Sequence, residues 1–426
     1  MPRFPDGFLW GAATAAYQVE GGNAGSTFAA WEKVRGWEPC GLAADSWRRW
    51  PEDIRCLREL GLGAYRFSVE WSRVEPRPGE YDEAALARYR EQVRALAEAG
   101  IRPMVCLHHF SEPAWLYELE PSGWTSPRCA GYFLRFVERV LAAFQGEVRD
   151  WLTFNEPMVW LLLGYGLGHF PPGLRSLFSL ERVLGENGPQ GTVLRAHEEA
   201  YRLIHRAVPA ARVSVAQNIV DLRPASGDPA DARAVRDLDL LMHGRFLDRA
   251  HAAKTLDFIG VNYYTGIFVR AARLPLFPAG ALPGYAELER ALGPRLFRLL
   301  GGRRGEAPRS DMGWEVVPEG LGRVVRRVWA AYGLPIFITE NGVADGTGEL
   351  RAAFLQDHLA ALRGEIERGA RVLGYLHWSL LDNYEWGSFR PRFGLYSVDR
   401  AGDFARRPAP GARAYADIVR ENEGGL

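Results

Sequence analysis

Several features are missing from this sequence of 426 residues, and each absence excludes a class of protein. The formal net charge is zero, so no excess of positive charge favours nucleic acid or an anionic membrane surface as a partner. No apolar run reaches the roughly 20 residues that a membrane-spanning helix needs. The sequence therefore predicts neither a nucleic-acid-binding protein nor a membrane protein.

Cysteine is scarce and follows no known spacing. Cys40, Cys56, Cys106 and Cys129 form no CxxC pair, so the sequence predicts neither a zinc site nor a redox motif. The first residues lack a basic region followed by an apolar one, so we expect no secretory signal. We therefore expect a cytoplasmic protein with reduced thiols, and we expect no metal and no cofactor.

Aromatic residues are abundant, with 14 Trp and 16 Tyr. Aromatic rings pack well against the apolar faces of sugars, but they also fill ordinary protein cores. The composition is therefore compatible with a carbohydrate-binding protein without identifying one.

Strand-like runs alternate with helical patterns along the whole chain. The predicted strands are Phe8–Thr14, Ala64–Trp71, Arg102–Phe110, Trp151–Glu156, Arg212–Asn218, Leu256–Tyr264, Ile336–Glu340 and Val372–Leu380. The predicted helices are Glu52–Leu60, Asp82–Ala99, Ala130–Phe144, Leu194–Val208, Asp231–Ala250, Pro318–Tyr332, Phe354–Glu367 and Ala412–Val419. Eight such pairs predict an α/β fold, a closed (β/α)₈ TIM barrel. No Pro/Ser/Gly linker interrupts the chain, so we expect residues 1–426 to form a single domain.

The residues beyond a minimal barrel fall in loops that follow strands. The longest predicted loops are Pro157–Pro189 and Thr265–Gly313. Both leave the carboxyl ends of strands, which is the face where barrel enzymes carry out their chemistry.

Two of the predicted strands end in a glutamate. Glu340 precedes an Asn-Gly pair, and Glu156 lies between Asn155 and Pro157. A carboxylate at a buried strand end is costly unless it is paired, hydrogen-bonded or functional, although Glu340 alone is equally compatible with a solvated turn. In a barrel both glutamates open onto one face, and paired carboxylates are the chemical groups of glycoside hydrolysis.

The motifs around these glutamates resemble those of glycoside hydrolase family 1, the retaining β-glucosidases and β-glycosidases. The resemblance extends from the segment Phe8–Gly21 to the segment Arg392–Asp399, nearly the whole chain. It implies that Glu156, in Asn-Glu-Pro, is the general acid/base and that Glu340, in Thr-Glu-Asn-Gly, is the nucleophile. It further implies supporting roles for Arg66, Asn262 and Tyr264.

The resemblance also implies a set of sugar-binding residues. These are Gln18, His109, Asn155, Trp378, Glu385 and Trp386. Strict strand alternation would place Asn155 and Glu156 on opposite faces, so both serve one site only if the strand curls or bulges at its end.

One motif departs from the family pattern. The usual His-Trp pair is His109-Phe110 here, which keeps an aromatic wall but removes an indole N–H donor. The preceding His108 would face away from His109 on a strand, so we interpret it as a packed or loop-supporting residue rather than a metal ligand.

The predicted function is a retaining exo-β-glycosidase that hydrolyses small β-glycosides or oligosaccharides through a covalent glycosyl-enzyme. A 6-phospho-β-glycosidase is the alternative: Glu385 would repel a phosphate, whereas Arg390 and Arg392 would attract one. A non-catalytic sugar-binding barrel is a third interpretation. The sequence leaves open glucose against galactose or fucose, the aglycone preference, and a monomer against a homo-oligomer.

Overall fold

A computed structural model of the chain describes residues 3–176, 180–272 and 278–423. Eight parallel strands close into a barrel in sequential order, with the first strand pairing with both the second and the eighth. We number these strands β1 to β8: Leu9–Ala13, Ala64–Ser68, Arg102–Cys106, Asp150–Asn155, Arg212–Asn218, Ile259–Tyr263, Ile336–Asn341 and Val372–Trp378. The predicted (β/α)₈ barrel is confirmed.

Helices cover the outside of the barrel. The longer ones are Thr27–Arg35, Ser46–Glu59, Glu83–Glu98, Arg128–Phe144, Pro189–Ala207, Pro229–Asp239, Arg245–Ala252, Pro318–Tyr332, Arg351–Glu367 and Ala412–Glu423. In Arg128–Phe144, the side chains of Phe133, Phe136, Val137 and Val140 are buried at helical spacing, which directs one apolar face toward the sheet.

Small and apolar side chains fill the barrel interior. Ala13, Ala64, Leu152 and Ala216 belong to one buried cluster there. The barrel also needs glycine in β6, because a Cβ at Gly260 would lie 2.5 Å from the backbone oxygen of Val215. Close packing of this kind fixes the strand positions from which the site residues project.

Several element boundaries differ from the prediction. The third strand ends at Cys106 rather than Phe110, because the chain turns there: the Ser111 amide donates to the His109 carbonyl at 2.9 Å, and Phe110 has φ 68°. The first long helix begins at Ser46, six residues before the predicted start at Glu52. Apolar periodicity marks the middle of an element better than its ends, which local turns decide.

The two longest predicted loops contain secondary structure of their own. The first includes the helix Pro157–Leu161 and the π-helical turn Leu162–Gly166. The second includes the strand Gly266–Ala271, which forms a small sheet with Asp221–Pro224 and Ala281–Pro283. Parts of both loops, residues 177–179 and 273–277, lie outside the described residues.

No helix in the described ranges combines the length and apolarity that crossing a bilayer would require. The four cysteines are buried and unpaired.

Candidate active site

Glu340 lies near the carboxyl end of β7 and is only 3% exposed. The guanidinium of Arg66, from β2, forms a hydrogen-bonded ion pair with one carboxylate oxygen. The hydroxyl of Tyr264, just after β6, donates to the other oxygen at 2.6 Å. Both oxygens therefore have a strong donor that favours the ionised form.

Glu156 follows the last residue of β4 and is also buried. Its backbone has φ 44° and ψ 53°, the left-handed region, immediately before the helix that starts at Pro157. The left-handed residue breaks the strand alternation, so Asn155 and Glu156 both reach the same site. The curl that the sequence required at this strand end is present, at a conformational cost of about 1 kcal/mol for a non-glycine residue.

The carboxyl group of Glu156 has a different environment from that of Glu340. Its Oε1 accepts hydrogen bonds from two amides, Asn262 Nδ2 at 2.8 Å and Asn218 Nδ2 at 3.1 Å. Burial, reinforced by the charge of Glu340, raises the pKa of Glu156 to about 7. At that pKa Glu156 is able both to hold and to release a proton near neutral pH.

Burial raises the pKa of Glu340 as well, but here Arg66 and the Tyr264 hydroxyl oppose the rise. Glu340 has a cation in direct contact, whereas the groups hydrogen-bonded to Glu156 are neutral amides. The two environments therefore assign the charge to Glu340 and the proton to Glu156.

One amide links the two halves of the site. Asn155 Oδ1 accepts from Arg66 Nη2 at 2.6 Å and from Asn262 Nδ2 at 3.0 Å. The amide of Asn262 is fixed in turn by the hydroxyl of Thr339, which donates to its oxygen at 2.7 Å. Glu156 and Glu340 thus belong to a single buried hydrogen-bond network.

The same amide sets the proton position on His109. Because both donors occupy Asn155 Oδ1, its Nδ2 faces the Nε2 of His109 at 3.0 Å and must donate to it. Burial and the nearby Arg66 hold the pKa of His109 well below its usual range, so the ring is neutral with its proton on Nδ1. No group in the described part of the chain accepts from that N–H, which is free for a ligand hydroxyl.

Gln18 and Glu385 form a second polar group. Gln18 Nε2 donates to Asn383 Oδ1 at 3.0 Å and to Glu385 Oε2 at 3.1 Å, while Gln18 Oε1 is buried without a hydrogen-bond partner among the described residues. Burial and the charge of Glu340 raise the pKa of Glu385 to about 8. These two side chains therefore offer an unpaired acceptor and a carboxyl group to hydroxyls of a bound molecule.

Aromatic rings enclose these polar groups. The His109 ring lies nearly parallel to Trp378 and Trp386, with centroid distances of 5.8 and 6.0 Å. Phe110, at the position of the family tryptophan, packs against Trp386 at 5.0 Å and keeps the aromatic wall. Flat aromatic rings pack against the apolar face of a pyranose ring, and the unpaired polar atoms of Gln18 and His109 can bind its hydroxyls.

All eleven predicted site residues are brought together in this way, and three further contributors were missed. Asn218 donates to Glu156, Thr339 orients Asn262, and the ring of Trp314 packs against Tyr264 at 5.6 Å. Asn218 ends the fifth predicted strand, so the strand-end argument that found Glu156 applied equally to it. Trp314 lies far from any strand end, and no sequence signal marked it.

His108 lies apart from the sugar-binding group. Its Nε2 is 3.2 Å from Glu112 Oε1, and its ring packs against Trp160 and Phe154. Among residues 3–176, 180–272 and 278–423, no cluster of three or more His, Cys, Asp or Glu side chains has the geometry to hold a metal ion.

The two arginines that would attract a phosphorylated substrate have different surroundings. Arg392 lines a cavity of about 370 Å³ together with Arg400, Asp382 and Asp399, and Arg390 is exposed. Glu156, Glu340, Gln18 and Glu385 are not among the residues that line this cavity.

Comparison with known proteins agrees with this geometry. A family model described as Glycosyl hydrolase family 1 matches residues 1–252 and 247–424. The chain is 30% identical to β-glucosidase A of Thermotoga maritima over 470 residues, covering 99% of both proteins.

Solved structures agree as well. The β-glycosidase of Pyrococcus horikoshii aligns with a TM-score of 0.87 and 34% identity, over 99% of this chain and 96% of the other. A Thermotoga maritima family 1 glycoside hydrolase complexed with a cyclophellitol analogue, a transition-state mimic, aligns with a TM-score of 0.86 and 28% identity over 99% and 98% of the two chains.

Proposed function

The chain belongs to glycosyl hydrolase family 1 and is a β-glucosidase-like enzyme, and on that premise we propose a retaining exo-β-glycosidase formed by one barrel domain. Its proposed substrates are β-D-glucosides, together with β-D-galactosides and β-D-fucosides, presented as small glycosides or oligosaccharides. The observation that carries the proposal is the contrast between two carboxyl groups in one buried network, Glu340 paired with Arg66 and Glu156 held by neutral amides.

In the first step Glu340 attacks the anomeric carbon while Glu156 protonates the departing glycosidic oxygen. The C–O bond to the aglycone breaks with its electron pair, and that pair takes the proton of Glu156. Arg66 and Tyr264 orient the attacking carboxylate and keep it ionised until the ester forms.

In the second step Glu156, now a carboxylate, removes a proton from water, and the resulting oxygen nucleophile displaces Glu340 from the anomeric carbon. The pKa of about 7 suits both roles, because Glu156 must give a proton in one step and take one in the next. Asn155 is placed in our proposal at the sugar 2-hydroxyl, where a contact strengthens as charge develops at the anomeric centre.

We assign the remaining residues to the non-reducing terminal sugar, and the proposed exo action rests on this assignment. The unpaired Oε1 of Gln18 accepts from one hydroxyl and the Nδ1–H of His109 donates to another. Trp378 lies under the ring, and Glu385 and Trp386 bind the 4- and 6-hydroxyls. The carboxyl of Glu385 stands where a cationic side chain would be needed to pair with a 6-phosphate, and this supports a neutral sugar.

The decisive experiment follows the anomeric configuration of the product by ¹H NMR during hydrolysis of an aryl β-glucoside. The β-anomer is expected first, because two displacements restore the starting configuration. Initial release of the α-anomer would exclude the mechanism. A 2-deoxy-2-fluoro glucoside with a good leaving group is expected to label Glu340 covalently, and mass spectrometry of the peptides identifies the labelled residue.

The phosphorylated alternative has its own test. Hydrolysis of nitrophenyl β-glucoside is compared with that of the same glucoside carrying a 6-phosphate, under identical conditions. We expect a higher kcat/KM for the neutral compound. A preference for the phosphorylated compound would show that Glu385 does not set the sugar specificity.

A further inference from the structure

Asn218 connects the acid/base glutamate to a part of the molecule outside the sugar pocket. It is the last residue of β5, and its amide is one of the two donors to Glu156 Oε1. The chain that follows is held at both neighbouring positions: the Ile219 amide donates to the Asn262 carbonyl at 2.9 Å, and the Val220 amide donates to His243 Nε2 at 3.2 Å. The backbone amide of Ile219 is thus held by a barrel strand, whereas that of Val220 is held by the side chain of His243.

His243 lies in the π-helical turn Leu240–Gly244, between the helices Pro229–Asp239 and Arg245–Ala252. Such turns insert one residue into a helix and are often found at functional sites. The widened turn also receives Gln217, whose Nε2 donates to the carbonyl of Met242 at 2.9 Å. Two contacts thus tie the end of β5 to this turn.

The proton position on His243 is determined by its partners. Because Nε2 accepts from the Val220 amide, Nδ1 carries the proton and donates to Asp239 Oδ1 at 2.5 Å. The same carboxylate oxygen accepts from Arg327 Nη1 at 2.7 Å, on the helix that precedes β7. Burial keeps the pKa of His243 below its ordinary value, so the imidazole is neutral and this tautomer is fixed.

We propose that His243, oriented by Asp239 and Arg327, is a positioning residue that holds Asn218 against Glu156 and thereby tunes the acid/base step. This inference rests on the proposed role of Glu156. One of the two amide donors to the ionised Glu156 carboxylate, Asn218, then depends on an imidazole outside the sugar pocket. When the anchor is lost, the donor moves away and the ionised form of Glu156 loses stabilisation.

Charged and titratable groups lie around both Glu156 and His243. Glu156 faces the carboxyl groups of Glu340 and Glu385, whose charges disfavour its ionisation, the phenol hydroxyls of Tyr264 and Tyr285, and the guanidinium of Arg66, which favours its ionisation. Within the described part of the chain, the charged groups that act on His243 are Asp239 and Arg327. Removing a neutral side chain such as Asn218 or His243 therefore leaves those charges in place.

The test uses the basic limb of the pH profile of kcat/KM, which reports loss of the Glu156 proton in the free enzyme. Asn218→Ala is expected to move that limb upward by about half a pH unit, because a hydrogen bond to the ionised carboxylate has been removed. His243→Leu is expected to move it in the same direction. His243→Gln, whose side-chain oxygen can accept from the Val220 amide, is expected to restore most of the wild-type profile.

The double variant distinguishes positioning from a general effect on folding. If His243 acts through Asn218, adding His243→Leu to Asn218→Ala moves the limb no further. A further shift in the double variant, or an unshifted limb in His243→Leu, would overturn the proposal. Asp239→Ala provides a second test if His243→Leu does not fold. Without Asp239 the proton of His243 is no longer held on Nδ1, and the tautomer with its proton on Nε2 cannot accept from the Val220 amide. An unshifted basic limb in Asp239→Ala would also overturn the proposal.

A matched control is present in the same chain. His205 Nε2 is 2.8 Å from Asp257 Oδ2, another His–Asp pair, but neither residue contacts the site network. His205→Leu is expected to leave the pH profile unchanged. The role of Glu156 itself is tested separately, because Glu156→Gln must abolish the basic limb; if the limb persists, the proposed function fails rather than the role of His243.

Discussion

Arg66 shows how far a single side chain can organise the site. Its guanidinium contacts Glu340, donates to the Thr339 carbonyl at 3.2 Å, and orients the Asn155 amide that fixes the His109 tautomer. The side chain is fully buried, so its charge is tolerable only while Glu340 is ionised beside it. The ionisation state of the proposed nucleophile and the geometry of the sugar pocket are therefore coupled through one residue.

The first prediction concerns Glu156. In Glu156→Gln, hydrolysis of a glycoside with a poor leaving group, such as a phenol, is expected to fall by about 10²–10⁴-fold in kcat/KM, because no acid protonates the departing oxygen. A dinitrophenyl glycoside needs little protonation, so its kcat/KM is expected to fall far less. Steady-state kinetics over a series of aryl glycosides measure this difference.

The same series has an internal control in Glu340→Gln. That variant lacks the nucleophile and is expected to lose activity on every leaving group alike, by a thousandfold or more. Equal losses for good and poor leaving groups in Glu156→Gln would contradict its assignment as the acid.

The second prediction concerns Tyr264. Tyr264→Phe removes the hydroxyl that donates to Glu340 Oε2 but retains the ring that packs against Trp314. Loss of a donor to the ionised carboxylate raises the pKa of Glu340, so the acid limb of kcat/KM is expected to move to higher pH. The kcat is expected to fall about tenfold, and an unshifted acid limb would show that the hydroxyl does not stabilise the charge.

Sequence reasoning found the residues at this scale in two ways. A glutamate at the end of an apolar strand is conspicuous because burial of an unpaired carboxylate is costly, and this argument located Glu156 and Glu340. The sugar-binding residues came from the resemblance, since nothing in the local pattern of Gln18 or Glu385 distinguishes them from ordinary polar residues. The tautomer of His109 was out of reach, because it depends on donors from three separate strands.

At the scale of elements, the middle of each strand and helix followed from periodicity, but the functional ends did not. The left-handed turn at Glu156, the turn after Cys106 and the π-helical turn Leu240–Gly244 all break the regular pattern. Each is stabilised by tertiary contacts, such as the Glu156 amide donating to the Ala216 carbonyl at 2.6 Å, which a single sequence does not reveal.

The third prediction tests how tightly the barrel strands fix the site. A Cβ at Gly260 would lie 2.5 Å from the Val215 oxygen and 3.2 Å from the Thr339 side chain. Gly260→Ala must therefore push β6 away from its neighbours, with an expected loss of about 1–3 kcal/mol in the free energy of unfolding. Because β6 carries Asn262, kcat/KM is expected to fall as well, and denaturant unfolding with kinetics at 25 °C measures both.

Gly63 is the matched control for this substitution. It lies just before β2, and a Cβ there would meet nothing within 4 Å. Gly63→Ala is expected to change the free energy of unfolding by less than about 1 kcal/mol and to leave kcat/KM unaltered. Equal effects at the two glycines would mean that strand crowding does not control the site.

At the scale of the whole molecule, the net charge is zero, yet some carboxyl groups are buried where their ionisation is unfavourable. Glu70 and Glu156 are both buried, and burial raises the pKa of each to about 7. Glu70 is held by the hydroxyls of Ser72 and Ser111, at 2.5 and 2.9 Å, rather than by a cation. Such groups lower the stability of the folded state at the pH where they ionise, which is the cost of keeping a proton available near neutrality.

The last prediction follows from that cost. The pKa of Glu156 is near its ordinary 4.5 in the unfolded chain and about 7 in the folded chain. Above pH 7 the carboxyl is ionised in both states, and its ionisation lowers the free energy of unfolding by about 3 kcal/mol. Below pH 4.5 the carboxyl is protonated in both states, and this destabilisation is absent. Glu156→Gln is therefore expected to raise the unfolding temperature by about 3 °C at pH 8 and to leave it unchanged at pH 4.

Thermal unfolding of wild type and variant at the two pH values measures this difference. Glu98→Gln is the control, because Glu98 is exposed at the end of the helix Glu83–Glu98. A Glu156→Gln protein that is less stable than wild type at pH 8 would mean that the amides of Asn218 and Asn262 stabilise the ionised carboxylate more than burial destabilises it. The basic limb of the activity profile would then lie well below pH 7, so stability and kinetics test the same balance independently.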